Sequence, residues 1–282
     1  MSRNNQGRTG APKRPEPADV PVTPPAGGFS FATPTEFVEL PTQGKYYPEG
    51  HPLHGEESIE IRYMTAKDED ILTSETLLKK GLAIERLLQS VIVNKAIDVN
   101  TLYVGDKNAI LIAARITGYG NQYTTRTLCP GCSAVSEFTY DLSKLKSYDG
   151  SDWGDFNIKP DENDRFFITL PQSEVEVGVH LMTSRHERAL TEATSKRKKQ
   201  KLPEAILTNQ MKAFIHSVNG HTDAKSIQTF INGVPASDSK YLRTAYQTLI
   251  PNVDMTQLFN CEPCGLEQEV TVPFTAAFLW PK

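Results

Sequence analysis

The 282-residue sequence predicts an α+β protein of two similar, mainly helical halves, each ending in a CxxC β-hairpin, with the hairpins paired into a zinc ribbon. Three observations predict this. A strand, a Met-Thr helix start, a capped helix and a CxxC turn follow one another twice in the same order. Asp106 stands 23 residues before Cys129, and Asp238 stands 23 residues before Cys261. Cys129, Cys132, Cys261 and Cys264 are all the cysteines of the chain, and each pair has metal-ligand spacing. The expected organisation is a Pro-rich arm over 1–34, a first half over 35–145 and a second half over 146–282.

The arm holds Pro12, Pro15, Pro17, Pro21, Pro24 and Pro25 with almost no large apolar side chain. Such a stretch cannot bury enough surface to offset its ordering entropy, so it is expected to be a solvated tail or to order against a partner. It carries Arg3, Arg8, Lys13 and Arg14 against Glu16 and Asp19, a net +2, which leaves −6 on the body of a chain whose total is −4. That balance argues against a dedicated nucleic-acid binder, which shows a strongly basic face. Apolar runs such as Ala109–Ala114 fall far short of the roughly 18 residues of a membrane span. No apolar stretch follows Arg3 and Arg8, so no secretory signal is expected and folding in a reducing cytoplasm is.

Ordered sequence begins at Thr35–Leu40 and passes through a turn-rich stretch marked by Gly44, Pro48 and Gly50. Ser58 to Tyr63 alternates polar and apolar residues, as a half-buried strand does. Thr65 then caps a helix whose early acids, Asp68, Glu69 and Asp70, suit the positive end of the helix dipole. Ile84, Leu87, Leu88 and Val91 recur at helical spacing and form one apolar face. Asp106 is the expected N-cap of a further helix through Ile110, Leu111, Ala114 and Ile116, ending at Gly118 and Gly120. Tyr123–Thr127 and Val135–Tyr140 are the strands on either side of Cys129-Pro130-Gly131-Cys132.

The second half repeats the plan. Glu174–Val179 is an alternating strand running into Leu181-Met182-Thr183, as Ile61–Tyr63 runs into Met64-Thr65. Ile206, Met211, Phe214 and Ile215 are helical core candidates. Ser237 or Asp238 caps a helix through Tyr241, Leu242, Ala245 and Leu249 that Pro251 stops. Cys261-Glu262-Pro263-Cys264 and a strand from Gln268 to Val272 close the chain.

Two thiolates on a tight turn can face one ion, and four satisfy tetrahedral zinc with no vacant position for catalysis. Zinc in a structural role is therefore the expected cofactor. An iron–sulfur cluster uses the same four thiolates, and free buried thiols or a redox pair are the remaining readings. A thioredoxin-like pair needs only one CxxC in a strand-to-helix setting, and disulfides are disfavoured in a reducing compartment. Wide separation of the two pairs is explained if each half supplies one hairpin.

Nothing in the sequence marks an enzyme or a small-molecule substrate. The six histidines form no HExxH pattern, and neither a nucleophile elbow nor a P-loop is present. His51 and His54, in GHPLHG, are expected to be solvated loop residues. The basic run Lys196-Arg197-Lys198-Lys199-Gln200-Lys201 suits the negative end of a helix dipole, or a contact with an acidic neighbour. No aromatic residue interleaves it, as stacking on nucleic acid would require. A zinc-ribbon adaptor for nucleic acid or the transcription machinery is the alternative function.

GKYYPEGHPL, IEIRYMTAKDEDILTS, LLKKGLAIERLLQSVI, VGDKNAILIAARITGYGNQY and CPGC lie collinear between Phe37 and Cys132. In these segments the chain resembles the baseplate hub protein family of T-even-type tailed phages, and Phe278-Leu279-Trp280-Pro281 resembles the aromatic ending of its members. The resemblance implies a virion structural protein of the tail baseplate at or near the central hub, assembled in the host cytoplasm. It implies other baseplate, hub and tail-tube proteins as partners, in a symmetric assembly of many copies. No active site comes with that family, so no catalytic residue is carried over.

Overall fold

A computed structural model of the chain describes residues 32–161, 165–201, 203, 205–273 and 276–279. The expected arm lies almost wholly outside the described residues, as do Trp280 and Pro281.

Strand β1 (Thr35–Glu39) pairs antiparallel with β2 (Ser58–Arg62), setting Phe37 opposite Glu60 and Val38 opposite Ile59. Val38, Ile59 and Ile61 enter the core, while Phe37 and Glu39 stay exposed. Three short helices follow, α1 (Ala66–Thr73), α2 (Glu75–Lys80) and α3 (Ala83–Val91). Thr65 caps α1 in a reciprocal box with Asp68. The Asp68 carboxylate is buried and takes two hydrogen bonds from Arg62, at 2.7 and 2.9 Å. Burial alone would raise its pKa, but hydrogen bonds from Arg62, Ser90 and Thr65 outweigh that and hold it below the usual carboxylate range.

Helix α4 (Val104–Tyr119) is the central helix of the first core, contributing Ile110, Leu111 and Ile112. It begins three residues earlier than its sequence suggests, with Tyr103 at the N-cap in place of Asp106. Asp106 is therefore inside the first turn, fully buried, and accepts from Thr42 N (3.0 Å), Thr42 Oγ1 (2.7 Å) and Tyr47 Oη (2.8 Å). The start of α4 lies so close to a later segment of the chain that a Cβ on Gly105 would stand 2.0 Å from the Pro251 carbonyl oxygen. Strands β3 (Gln122–Leu128) and β4 (Val135–Asp141) then form the first cysteine hairpin.

Beyond it, β5 (Lys146–Tyr148) precedes β6 (Ile158–Pro160), β7 (Phe166–Thr169) and β8 (Glu176–Val179). Helices α5 (Ser184–Lys199) and α6 (Ile206–Phe214) lead to β9 (Ile215–Val218), which completes an antiparallel sheet ordered β6-β7-β8-β9. That sheet and helices α7 (Ala224–Gly233) and α8 (Ala236–Leu249) enclose a second core around Phe214, Ile168, Val177 and Leu242. As in α4, the expected cap Asp238 sits within the first turn of α8, with Pro235 at the N-cap. Its buried carboxylate receives the N–H groups of Gln172 (3.1 Å) and Ser173 (2.8 Å). Strand β10 (Asn252–Asp254) pairs with β5; β11 (Thr256–Asn260) and β12 (Glu267–Thr271) form the second cysteine hairpin, and α9 (Ala276–Leu279) follows.

The α+β class stands, but two similar, mainly helical halves do not. Among the described residues 40% are helical and 25% lie in strands, too much sheet for that description. The second core is built on a four-stranded sheet, whereas in the first β2 gains only one isolated bridge, Ile61 to Ile92, beyond its partner β1. The last elements also cross over, since Val272, Phe278 and Leu279 pack into the first core. The two hairpins remain separate two-stranded sheets. The physical reason is length. Strands β5 to β7 have three or four residues, too few to display a period-two pattern, so their stretch reads as loop. Ile215, expected in a helix, is buried as the first residue of β9.

Candidate metal centre

Each hairpin delivers its cysteines through the same local structure. At the first turn, Cys129 N donates to Ala134 O (2.9 Å) and Ser133 N donates to Cys129 O (2.9 Å). At the second, Cys261 N donates to Leu266 O (2.9 Å) and Gly265 N donates to Cys261 O (2.7 Å). Both turns close through a left-handed residue just after the second cysteine, Ser133 at φ 58° and Gly265 at φ 66°. That conformation suits glycine and is costly for a residue with a Cβ.

The leading cysteines, Cys129 and Cys261, are completely buried, and the trailing ones, Cys132 and Cys264, are exposed. A small apolar floor supports them. Phe259 is fully buried, and Phe138 meets it edge-to-face with ring centroids 5.0 Å apart. Leu266 lies over the first turn, where a Cβ on Gly131 would come within 2.9 Å of it. At the end of the first hairpin away from its cysteines, Gln257 joins the hairpins as a strand would. Its Oε1 accepts from Asp141 N (3.1 Å), and its Nε2 donates to Asp141 O (2.7 Å).

The structure brings together all four cysteines that the sequence singles out. Cys129 Sγ lies 3.7 Å from Cys264 Sγ, Cys132 Sγ lies 3.7 Å from Cys261 Sγ, and all four sulfurs fall within 4.8 Å of one another. A disulfide would place two sulfurs at about 2.05 Å. A tetrahedron with zinc–sulfur bonds of about 2.3 Å has edges of about 3.8 Å, so the sulfurs already stand at ligand spacing. This spacing suits a single ion; a cluster of several irons would spread its cysteines more widely.

Electrostatics in the site oppose each other. N–H groups of Cys132 and Gly131 favour the Cys129 thiolate and draw its pKa down to about 6. Burial, with the neighbouring thiols, pushes Cys261 up to about 12. Four thiols this close cannot all ionise by themselves, and a divalent cation among them removes the conflict. The donor set and the spacing thus fit a structural zinc ion, with Cys129, Cys132, Cys261 and Cys264 as its four ligands.

The other residues considered from sequence have structural surroundings. His51 is not solvated as expected; it lies against Tyr47, with ring centroids 4.5 Å apart, and bonds Thr101 Oγ1 through Nε2 at 2.9 Å. His54 Nδ1 is 2.6 Å from the Tyr47 carbonyl. His186 completes the cap of α5 by accepting from Thr183 N, and it packs against His180. Among the described residues no other His, Cys, Asp or Glu cluster has metal-ligand spacing, and no helix is long and apolar enough to cross a membrane. Sequence reasoning missed Gln257, Phe138, Phe259 and Leu266, because the contact each makes depends on the two hairpins meeting. The paired CxxC turns were the one signal pointing to that meeting.

A family model described as T4 bacteriophage base plate protein matches residues 34–280. No curated protein and no solved structure matches the chain.

Proposed function

We propose that this chain, which belongs to the T4 bacteriophage base plate protein family, is a building block at or near the central hub of the tail baseplate, stapled by zinc. Membership makes it a structural protein of the phage tail baseplate, and the match over residues 34–280 carries that reading. The position at the hub, a part in baseplate assembly in the host cytoplasm, and hub and tail-tube proteins as neighbours are the finer reading. It is supported by the resemblance of the collinear segments between Phe37 and Cys132.

Zinc suits this role mechanically. Cys129 and Cys132 follow β3, Cys261 and Cys264 follow β11, and a shared ion fixes the two hairpins to one another. The closed shell gives the ion no open position for substrate, so it acts as a cross-link. Phe259 is the one fully buried residue of the floor beneath the cysteines, so hairpins with so small a core of their own gain from such a clamp.

Mass spectrometry of purified virions, combined with cross-linking, tests the assignment. The chain is expected in mature particles, cross-linked to hub or tube proteins. Absence from mature particles would make it an assembly factor, and cross-links only to the baseplate periphery would remove the hub position. Elemental analysis of the purified chain is expected to return one zinc per chain.

A further inference from the structure

Two surface regions of the chain combine a strong charge with exposed apolar side chains, and their charges are opposite. The first is a cleft of about 690 Å³ between the β1–β2 hairpin and β5. Phe37 stands at its edge, 71% exposed, on the outer face of β1 with Glu39 beside it and Glu60 opposite. Glu57 and Asp149 complete the acidic lining, and Lys45 lies near Asp149 as a partial offset. Phe37 therefore offers an exposed apolar face within an acidic cleft, the combination of charge and apolar surface that an interface uses.

The second region is the last turn of α5, with the start of α6 beside it. Helix α5 has no buried residue along its 16 positions. It ends in Lys196, Arg197, Lys198 and Lys199, with Lys201 just beyond, and among the described residues none of the five is in an ion pair. A helix dipole favours a basic last turn, but it explains neither Lys201 beyond the helix nor the aliphatic residues nearby. Ile206 and Leu207, at the start of α6, are each 49% exposed. Ile206 also borders a notch of about 290 Å³ between the two helices, whose wall includes Leu190.

We propose that the acidic cleft at Phe37 on one copy of this chain receives the cationic last turn of α5 of a second copy. Carboxylates of Glu39, Glu57 and Asp149 face the lysines, and Phe37 covers the half-exposed Ile206 and Leu207. Charge supplies orientation and the apolar contact supplies persistence, the usual division of labour at an interface. Because two different surfaces meet, the contact is heterologous, and its repetition builds a ring or an open array. The inference deepens the baseplate reading and rests on it for the presence of several neighbouring copies.

Sedimentation velocity of the purified, metal-loaded full chain tests the pairing. At low salt and micromolar concentration the mass is expected to exceed the 31.3 kDa of one chain, returning to it at high salt. K198E/K199E and E39K/E57K are each expected to weaken self-association by about tenfold or more. These positions are exposed, and an unchanged circular dichroism spectrum checks that both variants fold. Mixing the two variants is expected to restore association, because the reversed turn then meets the reversed cleft. A wild-type chain that stays monomeric at low salt overturns the proposal, as does failure of the mixture. A turn that instead shifts DNA in a salt-dependent way, with the chain monomeric, assigns it to nucleic acid. Virions lacking a chain that self-associates would defeat the baseplate position alone; a monomeric chain present in virions would defeat only this contact.

Discussion

The cysteine centre and the two buried aspartates both tie together segments far apart in the chain, and they do so by opposite means. At Asp106 and Asp238 the protein completes its own hydrogen bonding. A carboxylate in the first turn of α4 receives Thr42 and Tyr47, and one in the first turn of α8 receives the backbone of Gln172 and Ser173. At the cysteines four potential anions face one another within 4.8 Å. A buried anion is tolerable when donors of the chain surround it, and a group of them requires a cation from outside. One tie is thus built into the fold, while the other depends on what the fold binds.

The widest break in this contrast comes from removing the ion's ligands. Cys129→Ser and Cys261→Ser are each expected to abolish metal binding and to cost most of a contribution on the order of 10 kcal/mol. Metal content and thermal unfolding measure both effects, and a strong chelator should reproduce them in the unaltered chain. Loss of metal in only one variant would mean that the hairpins do not share a site.

The aspartates should respond to neither chelator nor metal, and they differ from each other in acid. Burial raises the Asp106 pKa despite its hydrogen bonds, whereas at Asp238 the same burial is outweighed by the N–H groups of Ser173 and Gln172, and the pKa falls. The depressed group stabilises the fold above its unfolded value of 3.8, and that contribution is lost as pH falls through the folded value. For Asp106 the sign reverses, with full stabilisation below 3.8 that is lost as pH rises through its raised folded pKa. Asp238→Asn should therefore cost about 1–3 kcal/mol near neutrality and less in acid. Asp106→Asn should cost most in acid and less near neutrality. Urea unfolding midpoints at both pH values decide this, and equal pH profiles would mean that the two ties are alike.

The smallest expected effect sharpens the comparison within the centre itself. Ser133 and Gly265 occupy equivalent left-handed positions, so Ser133→Gly should stabilise the metal-bound chain by about 0.5–1 kcal/mol. A loss of stability in thermal unfolding would show that the serine side chain has a compensating contact.

Several features were legible because they are written locally. Thr65 with Asp68 declares a helix start, β2 and the β3–β4 hairpin alternate as strands should, and the CxxC turns declare sulfur ligands. Asp106 and Asp238 were read correctly as marking helix starts, but as caps. Only their burial, against loops 64 and 65 residues away, reveals carboxylates that hold tertiary structure. Similar order in the two halves suggested similar folds. Yet β6 and β7, too short to carry a pattern, turn the second half into a sheet-based core.

The amino-acid sequence by itself determined the α+β class, the presence of helices near Thr65, Asp106 and Asp238, and the two CxxC turns, because capping, alternation and tight-turn spacing are properties of a few adjacent residues. Only the tertiary structure decided that the four sulfurs come within 4.8 Å of one another, that Gln257 links the hairpins, and that the end of the chain returns to the first core. Those facts depend on distances between segments more than a hundred residues apart in sequence. Such distances arise from how the whole core packs, and no local pattern records them.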